Sequence, residues 1–511
     1  MTLRSSRTTF VSLLVALLLV TLAMAGTAMG ATCESLSSLS LPNTTITTAQ
    51  SVAAGAFTQG GGGGKGKAPS FTDVPAFCRV AFTVKPSSDS DIKIELWLPA
   101  SGWNHKYEAN GNGGWSGAIT PATLATGVKL GYATAMTDTG HEGGSASFAL
   151  GHPEKLIDYG YRAVHEMAVK GKAITAAFYG EAPKYSYWNG CSQGGRQGLD
   201  EAQRYPEDFD GIVAGAPAVN FAGRSLQAVW IAQVVHKDEG SAIQSKFQAV
   251  HNAVLAACDA QDGVKDGVLE DPTRCKFDPK SIECKGADGP DCLTGAQVES
   301  VRRMYTPVTT SRTKHVEFPG FEPGSEMGWN TMAGQQPFGL ATDLFKYVVF
   351  KNPDWDYKTM NWDSDVALTR KESSDLDAMN PDLSKYLGHN GKIIQYHGWA
   401  DPQIAPGSSI DYYKSVLEKM GGASKVNGSY RLFMVPGMQH CGGGDGTSTF
   451  DMLSALEQWV ESKKAPDQIL ASRVRNGQTD RTRPLCPYPQ VAVYKGSGST
   501  DDAANFSCKA Q

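Results

Sequence analysis

Two observations point to an α/β fold built on a mainly parallel sheet. Short β-rich runs alternate with helical patterns at both ends of the chain, and a Gly-Cys-Ser-Gln-Gly run at 190–194 falls on one strand-to-helix junction. A third observation adds an insertion, because the alternation is lost between about residues 221 and 385.

The elements follow in order. Residues 79–84 and 91–98 read as strands, the second through Ile92, Ile94, Leu96 and Leu98 at period two. A strand near 106–109 comes next, then a helix over 156–178, a strand over 185–188, a helix over 195–205 and a strand over 211–214. The segment 221–385 instead holds four cysteines, Asp-Gly turns and many aromatics. The rhythm resumes with a strand at 392–396, a helix at 408–420, a strand at 430–435 and a helix at 450–461. The expected organisation is therefore residues 31–220 and 386–511 as two parts of one domain, with 221–385 inserted between them.

Length and charge bound the function. With 511 residues and 41% hydrophobic content the chain can bury a large core. A net charge of -5, with 47 Lys and Arg spread along the chain, disfavours nucleic acid and anionic membranes as partners. Residues 1–30 read as an export signal: Arg4 and Arg7 precede an apolar stretch at 10–25, with cleavage expected after Ala25 or Gly30. That stretch is shorter than the roughly 20 residues needed to span a bilayer. The mature chain is expected to be secreted or periplasmic and free of the membrane. The glycines at 60–64 with Lys65-Gly66-Lys67 imitate a phosphate loop, but Ala68 stands where a hydroxyl is needed, so a linker is expected.

All ten cysteines lie beyond the signal, an even set suited to an oxidising compartment. Local spacing favours Cys258 with Cys275, Cys284 with Cys292, Cys486 with Cys508, and Cys33 with Cys78, which leaves Cys191 and Cys441. No CxxC and no Cys/His pair at finger spacing supports zinc.

Ser192 lies at the centre of the G-x-S-x-G run. There the glycines permit a sharp strand-to-helix turn, and the helix N-terminus favours developing negative charge. Among ten histidines His440 is the best base, because it follows the apolar strand ending at Val435. Asp401 leaves the strand at 392–396 and supplies the acid. The chain order Ser192, Asp401, His440 is the order used by α/β-hydrolases. His397 is the rival base, but it shares a loop with Asp401. Cys191 precedes the serine and Cys441 follows the histidine; bridging them would hold their Cα atoms about 4.4–6.8 Å apart and make Ser192 and His440 neighbours. The oxyanion donors are expected to be the N–H of Gln193 and one from Gly113 or Gly114, in a loop resembling the HGGG type.

The run from Gly190 to Arg196, the loop Tyr396-His397-Gly398-Trp399-Ala400-Asp401 and the run Pro436-Gly437-Met438-Gln439-His440-Cys441 together resemble the tannase and feruloyl esterase family. Tyr205 to Pro217 and Arg483 to Pro489 extend the resemblance, which spans Cys33 to Cys508. It implies an α/β-hydrolase with a lid inserted between serine and aspartate, a Ser/Asp/His triad, and a disulfide beside the serine and histidine.

One loop in the insertion, Cys258 to Glu270, crowds Asp259, Asp262 and Asp266 with two glycines. Such carboxylates suit a hard cation such as calcium, although the spacing is not that of an EF-hand and solvated turns would also explain it. The resemblance implies a structural Ca2+ here, on Asp259, Asp262 and Asp266 and the carbonyls of Val264 and Val268, far from the triad in sequence and holding the lid together. It also implies an exported serine esterase acting on small-molecule or polysaccharide-linked esters of aromatic acids such as ferulate or gallate. A terephthalate monoester is the second substrate, because a mono(2-hydroxyethyl) terephthalate hydrolase belongs to the same family. A reading from another class is a calcium-stabilised binding protein on a silent hydrolase scaffold, against which the retention of all three triad residues argues.

Overall fold

A computed structural model describes residues 30–59 and 70–510. The expected export signal up to residue 29 and the glycine-rich segment at 60–67 lie outside the described residues. In chain order the strands are β1 (Thr44–Val52), β2 (Phe77–Val84), β3 (Ile92–Pro99), β4 (Lys106–Asn110), β5 (Ala133–Thr137), β6 (Tyr185–Cys191) and β7 (Gly211–Gly215). The short β8 (Val308–Thr309) and β9 (Val316–Phe318) precede β10 (Lys392–Gly398) and β11 (Tyr430–Val435), and the chain closes with β12 (Ile469–Arg475), β13 (Gln478–Leu485), β14 (Gln490–Tyr494) and β15 (Phe506–Ala510).

Nine strands form one sheet in the order β1-β2-β3-β5-β4-β6-β7-β10-β11. Every pairing from β5 through β11 is parallel, while β1, β2 and β3 form an antiparallel flank. The reason lies in burial. β5, β7 and β10 are buried at every position, as a parallel sheet covered on both faces requires, and the mostly small or branched side chains of β5 and β7 leave room for the covering helices. Those helices include Ala163–Tyr179, Gln193–Arg204, Gly407–Lys419 and Met452–Ser462.

The expected helix over 156–178 is divided in the structure. Pro153–Ile157 runs into a π-helical turn at Asp158–Arg162 before Ala163–Tyr179 continues. The buried Arg196 takes the Gly160 carbonyl through Nη2 at 2.6 Å, and a Cβ on Gly160 would meet the Asp375 carbonyl at 2.7 Å, so tertiary contacts hold this turn.

Residues 221–385 pack around their own apolar centre, built by helices Phe221–Val235, Phe247–Cys258 and Gly295–Tyr305 with Trp329, Leu344 and Phe345. Of the aromatics in this segment, Phe318, Phe321, Trp329, Phe345 and Trp355 are buried; Phe338, Tyr347, Phe350 and Trp362 are partly so. The same cluster includes Trp115 and Tyr159 from the sheet-bearing part, so the insertion is seated on the loop after β4. Five disulfides join Cys33–Cys78, Cys191–Cys441, Cys258–Cys275, Cys284–Cys292 and Cys486–Cys508. No helix among the described residues is long and apolar enough to cross a membrane.

Candidate active site

The site forms where β4, β6, β10 and β11 end, at the carboxyl edge of the parallel sheet, where open α/β sheets carry their ligands. Ser192 follows β6 directly and stands at φ 64°, a left-handed conformation that serine adopts only when its surroundings impose it. Its N–H donates to the Gly215 carbonyl at 2.9 Å, and its carbonyl accepts from Arg196 at 3.1 Å and Ala218 at 3.3 Å. The flanking glycines are needed for space: a Cβ on Gly190 would meet the Gly194 carbonyl at 2.5 Å, and one on Gly194 would meet Gly111 Cα at 2.9 Å. The helix Gln193–Arg204 therefore starts hard against the loop after β4.

Asp401 is fully buried between two imidazoles. His440 Nδ1 lies 2.7 Å and His397 Nε2 3.1 Å from Asp401 Oδ2. Oδ1 accepts from the N–H of Gln403 at 2.8 Å and of Ile404 at 3.0 Å. Burial pushes the carboxyl up, but the charge of His440 and the hydrogen bonds from His397 and His440 outweigh it and hold the group well below the ordinary carboxylate range.

His397 faces two acceptors through Nε2, the carboxylate and the Ile404 carbonyl at 3.1 Å, so that nitrogen carries a proton. Its Nδ1 rests 2.7 Å from Ser409 Oγ. With both nitrogens engaged inside the protein, the rival base is left with a supporting place beside the carboxylate. The Cys191–Cys441 bridge, with Cα atoms 6.0 Å apart, ties the residue before Ser192 to the residue after His440.

The N–H groups of Gln193 and Gly114 engage no acceptor among the described residues, which leaves both available. Gly114 has φ 52°, and a Cβ there would stand 2.8 Å from Leu340 Cδ1. The loop is pinned by side chains that the sequence did not single out. Gln197, one turn into the nucleophile helix, accepts from the Asn112 N–H at 3.0 Å and donates to Asn112 Oδ1 at 3.2 Å. Tyr159 Oη donates to the Gly114 carbonyl at 2.6 Å, and His141 Nε2 lies 2.8 Å from the Trp115 carbonyl. A buried amide or phenol this far along the chain carries no local signal of its partner.

The acidic loop of the insertion is built from its own backbone. Asp259 accepts from the N–H of Asp266 at 3.2 Å and of Gly267 at 3.1 Å; Asp262 accepts from Val264 at 2.9 Å and Glu270 at 3.1 Å; Asp266 accepts from Val268 at 3.2 Å. Asp266 Oδ2 also receives Arg483 at 2.6 Å and Arg481 at 3.1 Å from β13. Each carboxylate retains free lone pairs, and a cavity of about 20 Å³, the size of one ion or water, is bordered by Asp262, Val264, Asp266 and Val268. Arg481 and Arg483 border the same cavity and Asp259 does not, so two guanidinium groups share the space with the carboxylates. Although far from the triad in sequence, the loop abuts the segment that carries His440: Pro436, Gly446 and Thr447 border the same cavity, and a Cβ on Gly437 would lie 3.0 Å from Val268 Cγ1.

Comparison with known proteins identifies the family. The family described as tannase and feruloyl esterase matches residues 78–509. An uncharacterized esterase of Xanthomonas campestris pv. campestris is 39% identical, over 94% of this chain and 91% of its own. A probable feruloyl esterase B-2 of Aspergillus fumigatus is 37% identical, over 84% and 86%. The crystal structure of feruloyl esterase B from Aspergillus oryzae superposes with a TM-score of 0.86 at 32% identity, covering 93% of this chain and 99% of that one. The chain thus belongs to the tannase and feruloyl esterase family and is a carboxylic ester hydrolase of the α/β-hydrolase fold.

Proposed function

We propose that this esterase is exported and cleaves esters of aromatic acids, hydroxycinnamic or gallic, by a Ser192–His440–Asp401 triad. The observation that carries the reading is the hydrogen bond from His440 Nδ1 to the buried Asp401, at the same sheet edge as a strained serine. With Nδ1–H committed to the carboxylate, Nε2 is the nitrogen left to take a proton. Ser192 Oγ attacks the ester carbonyl as its proton passes to Nε2, and Asp401 stabilises the imidazolium that forms. The N–H groups of Gln193 and Gly114 receive the oxyanion. Collapse breaks the ester C–O bond, Nε2 hands its proton to the leaving alkoxide, and water then repeats the sequence on the acyl-serine to release the acid.

Export is supported by the arginine-led apolar N-terminus and five disulfides. The acidic loop is proposed to hold a structural Ca2+ through Asp259, Asp262, Asp266 and the carbonyls of Val264 and Val268. Bound there, the ion would neutralise carboxylates that otherwise repel one another, and it takes no part in the chemistry.

The names of the A. fumigatus and A. oryzae relatives favour a feruloyl ester. Comparing kcat/KM for methyl ferulate, methyl gallate and a terephthalate monoester tests the choice. The reading expects ferulate or gallate to lead; a clear lead for the terephthalate monoester would replace it with the second substrate.

A further inference from the structure

Arg224, fourth residue of the helix Phe221–Val235, is 3% exposed, and its Nε and Nη1 are enclosed without any hydrogen-bond partner. No carboxylate pairs with it among the described residues. Other buried arginines are answered at least in part: Arg196 donates to the Gly160 carbonyl and to Gln193 Oε1, and Arg481 and Arg483 share Asp266, although Arg196 and Arg483 each leave Nη1 without a partner. Arg224 has only ring faces, Phe338 at 4.7 Å and Phe221 at 6.0 Å. A cation over an aromatic ring recovers only part of what burying an ion costs. Burial pushes its pKa down to about 10, against the attraction of Asp401 and Tyr159, so the group remains a cation at neutral pH.

Its position explains what could complete it. Phe221 packs edge-on to Trp115 at 5.0 Å, Tyr159 holds the Gly114 carbonyl, and Trp115 Nε1 donates to the Leu340 carbonyl at 2.8 Å, two residues beyond Phe338. Arg224 therefore belongs to one wall that runs from the oxyanion loop into the insertion, within electrostatic reach of Asp401. That wall begins at the loop proposed to receive the carbonyl oxygen of the acyl group.

We propose that Arg224 is a specificity-determining residue, whose guanidinium N–H groups donate to an oxygen on the aromatic ring of the bound acid, either a phenolic oxygen or a carboxylate. This rests on the esterase reading with Ser192 as nucleophile. A charge-assisted hydrogen bond to such an oxygen satisfies the buried cation and rejects acids that lack the acceptor.

The test measures kcat/KM of the full chain for methyl cinnamate, methyl 4-hydroxycinnamate and monomethyl terephthalate, with wild type, Arg224→Met and Arg224→Lys. Wild type should prefer at least one acceptor-bearing ester to methyl cinnamate by about 10-fold or more. Which of the two it prefers separates phenol from carboxylate. Arg224→Met should lose that preference while methyl cinnamate turnover changes by less than about 3-fold, a direct check that the site still folds. Arg224→Lys keeps a charge without the fork and should retain part of the preference, so the idea stays testable should the Met variant not fold. An undiminished preference in either variant, an equal fall on all three esters, or no preference in wild type would overturn the proposal. Absence of turnover of every ester by wild type would instead overturn the esterase reading beneath it.

Discussion

At the scale of single residues, the site depends on how little freedom each group keeps. Ser192 is held at φ 64° by hydrogen bonds to Gly215, Arg196 and Ala218, and Asp401 is fixed by two imidazoles and two backbone N–H groups. Because its carboxyl is depressed in the folded state, Asp401 stabilises the fold above its ordinary pKa of about 4. That contribution is lost as pH falls below this value toward the depressed one. Urea unfolding between pH 6 and pH 2 should show Asp401→Asn losing less stability on acidification than wild type, and its kcat at neutral pH should fall by about 10⁴. Ser192, Asp401 and His440 were legible in the sequence because each follows an apolar strand in hydrolase order. The place of His397 was not, since both Asp401 and Ser409 lie within reach along the chain and only packing shows that its two nitrogens are engaged. Arg224 and the Asn112–Gln197 pair were also invisible, being polar residues whose meaning comes from neighbours distant in sequence.

Among the elements, strands with strong apolar character were placed within one or two residues: β11 matches its expected range, and β10 runs two residues further, to Gly398. β1 and β5 were missed for identifiable reasons. β1 reads Thr-Thr-Ile-Thr-Thr-Ala-Gln-Ser-Val, an edge strand half exposed to solvent, and β5 reads Ala-Thr-Ala-Met-Thr, buried yet small. The elements that carry the site are joined covalently by Cys191–Cys441, across a separation of 250 residues. Replacing both cysteines by alanine should lower unfolding free energy by up to about 5.5 kcal/mol on the chain-entropy account. It should also reduce kcat, because the end of β6 and the loop after β11 are no longer tied; chemical denaturation and ester turnover of the double variant check the two effects.

For the whole molecule, the chain divides as a sheet-bearing body with an inserted segment on its catalytic edge. The ties between them explain why the acidic loop matters. Asp266 reaches Arg481 and Arg483 on β13, Glu270 Oε1 accepts from the Ala492 N–H at 2.7 Å on β14, and Val268 lies against Gly437. These C-terminal hairpins gave little signal in the sequence, being short and largely polar outside the Cys486–Cys508 bridge. If the loop holds calcium, chelation should lower Tm, and re-adding Ca2+ at 100 times its Kd should restore about 2.7 kcal/mol. An unchanged Tm in chelator would remove the ion from the account. The central claim, that Ser192 is the nucleophile of an ester hydrolase, is tested most directly by Ser192→Ala. Its kcat/KM for methyl ferulate or methyl gallate should drop by about 10⁶ with an unaltered unfolding curve. Turnover equal to wild type in that folded variant would contradict the mechanism.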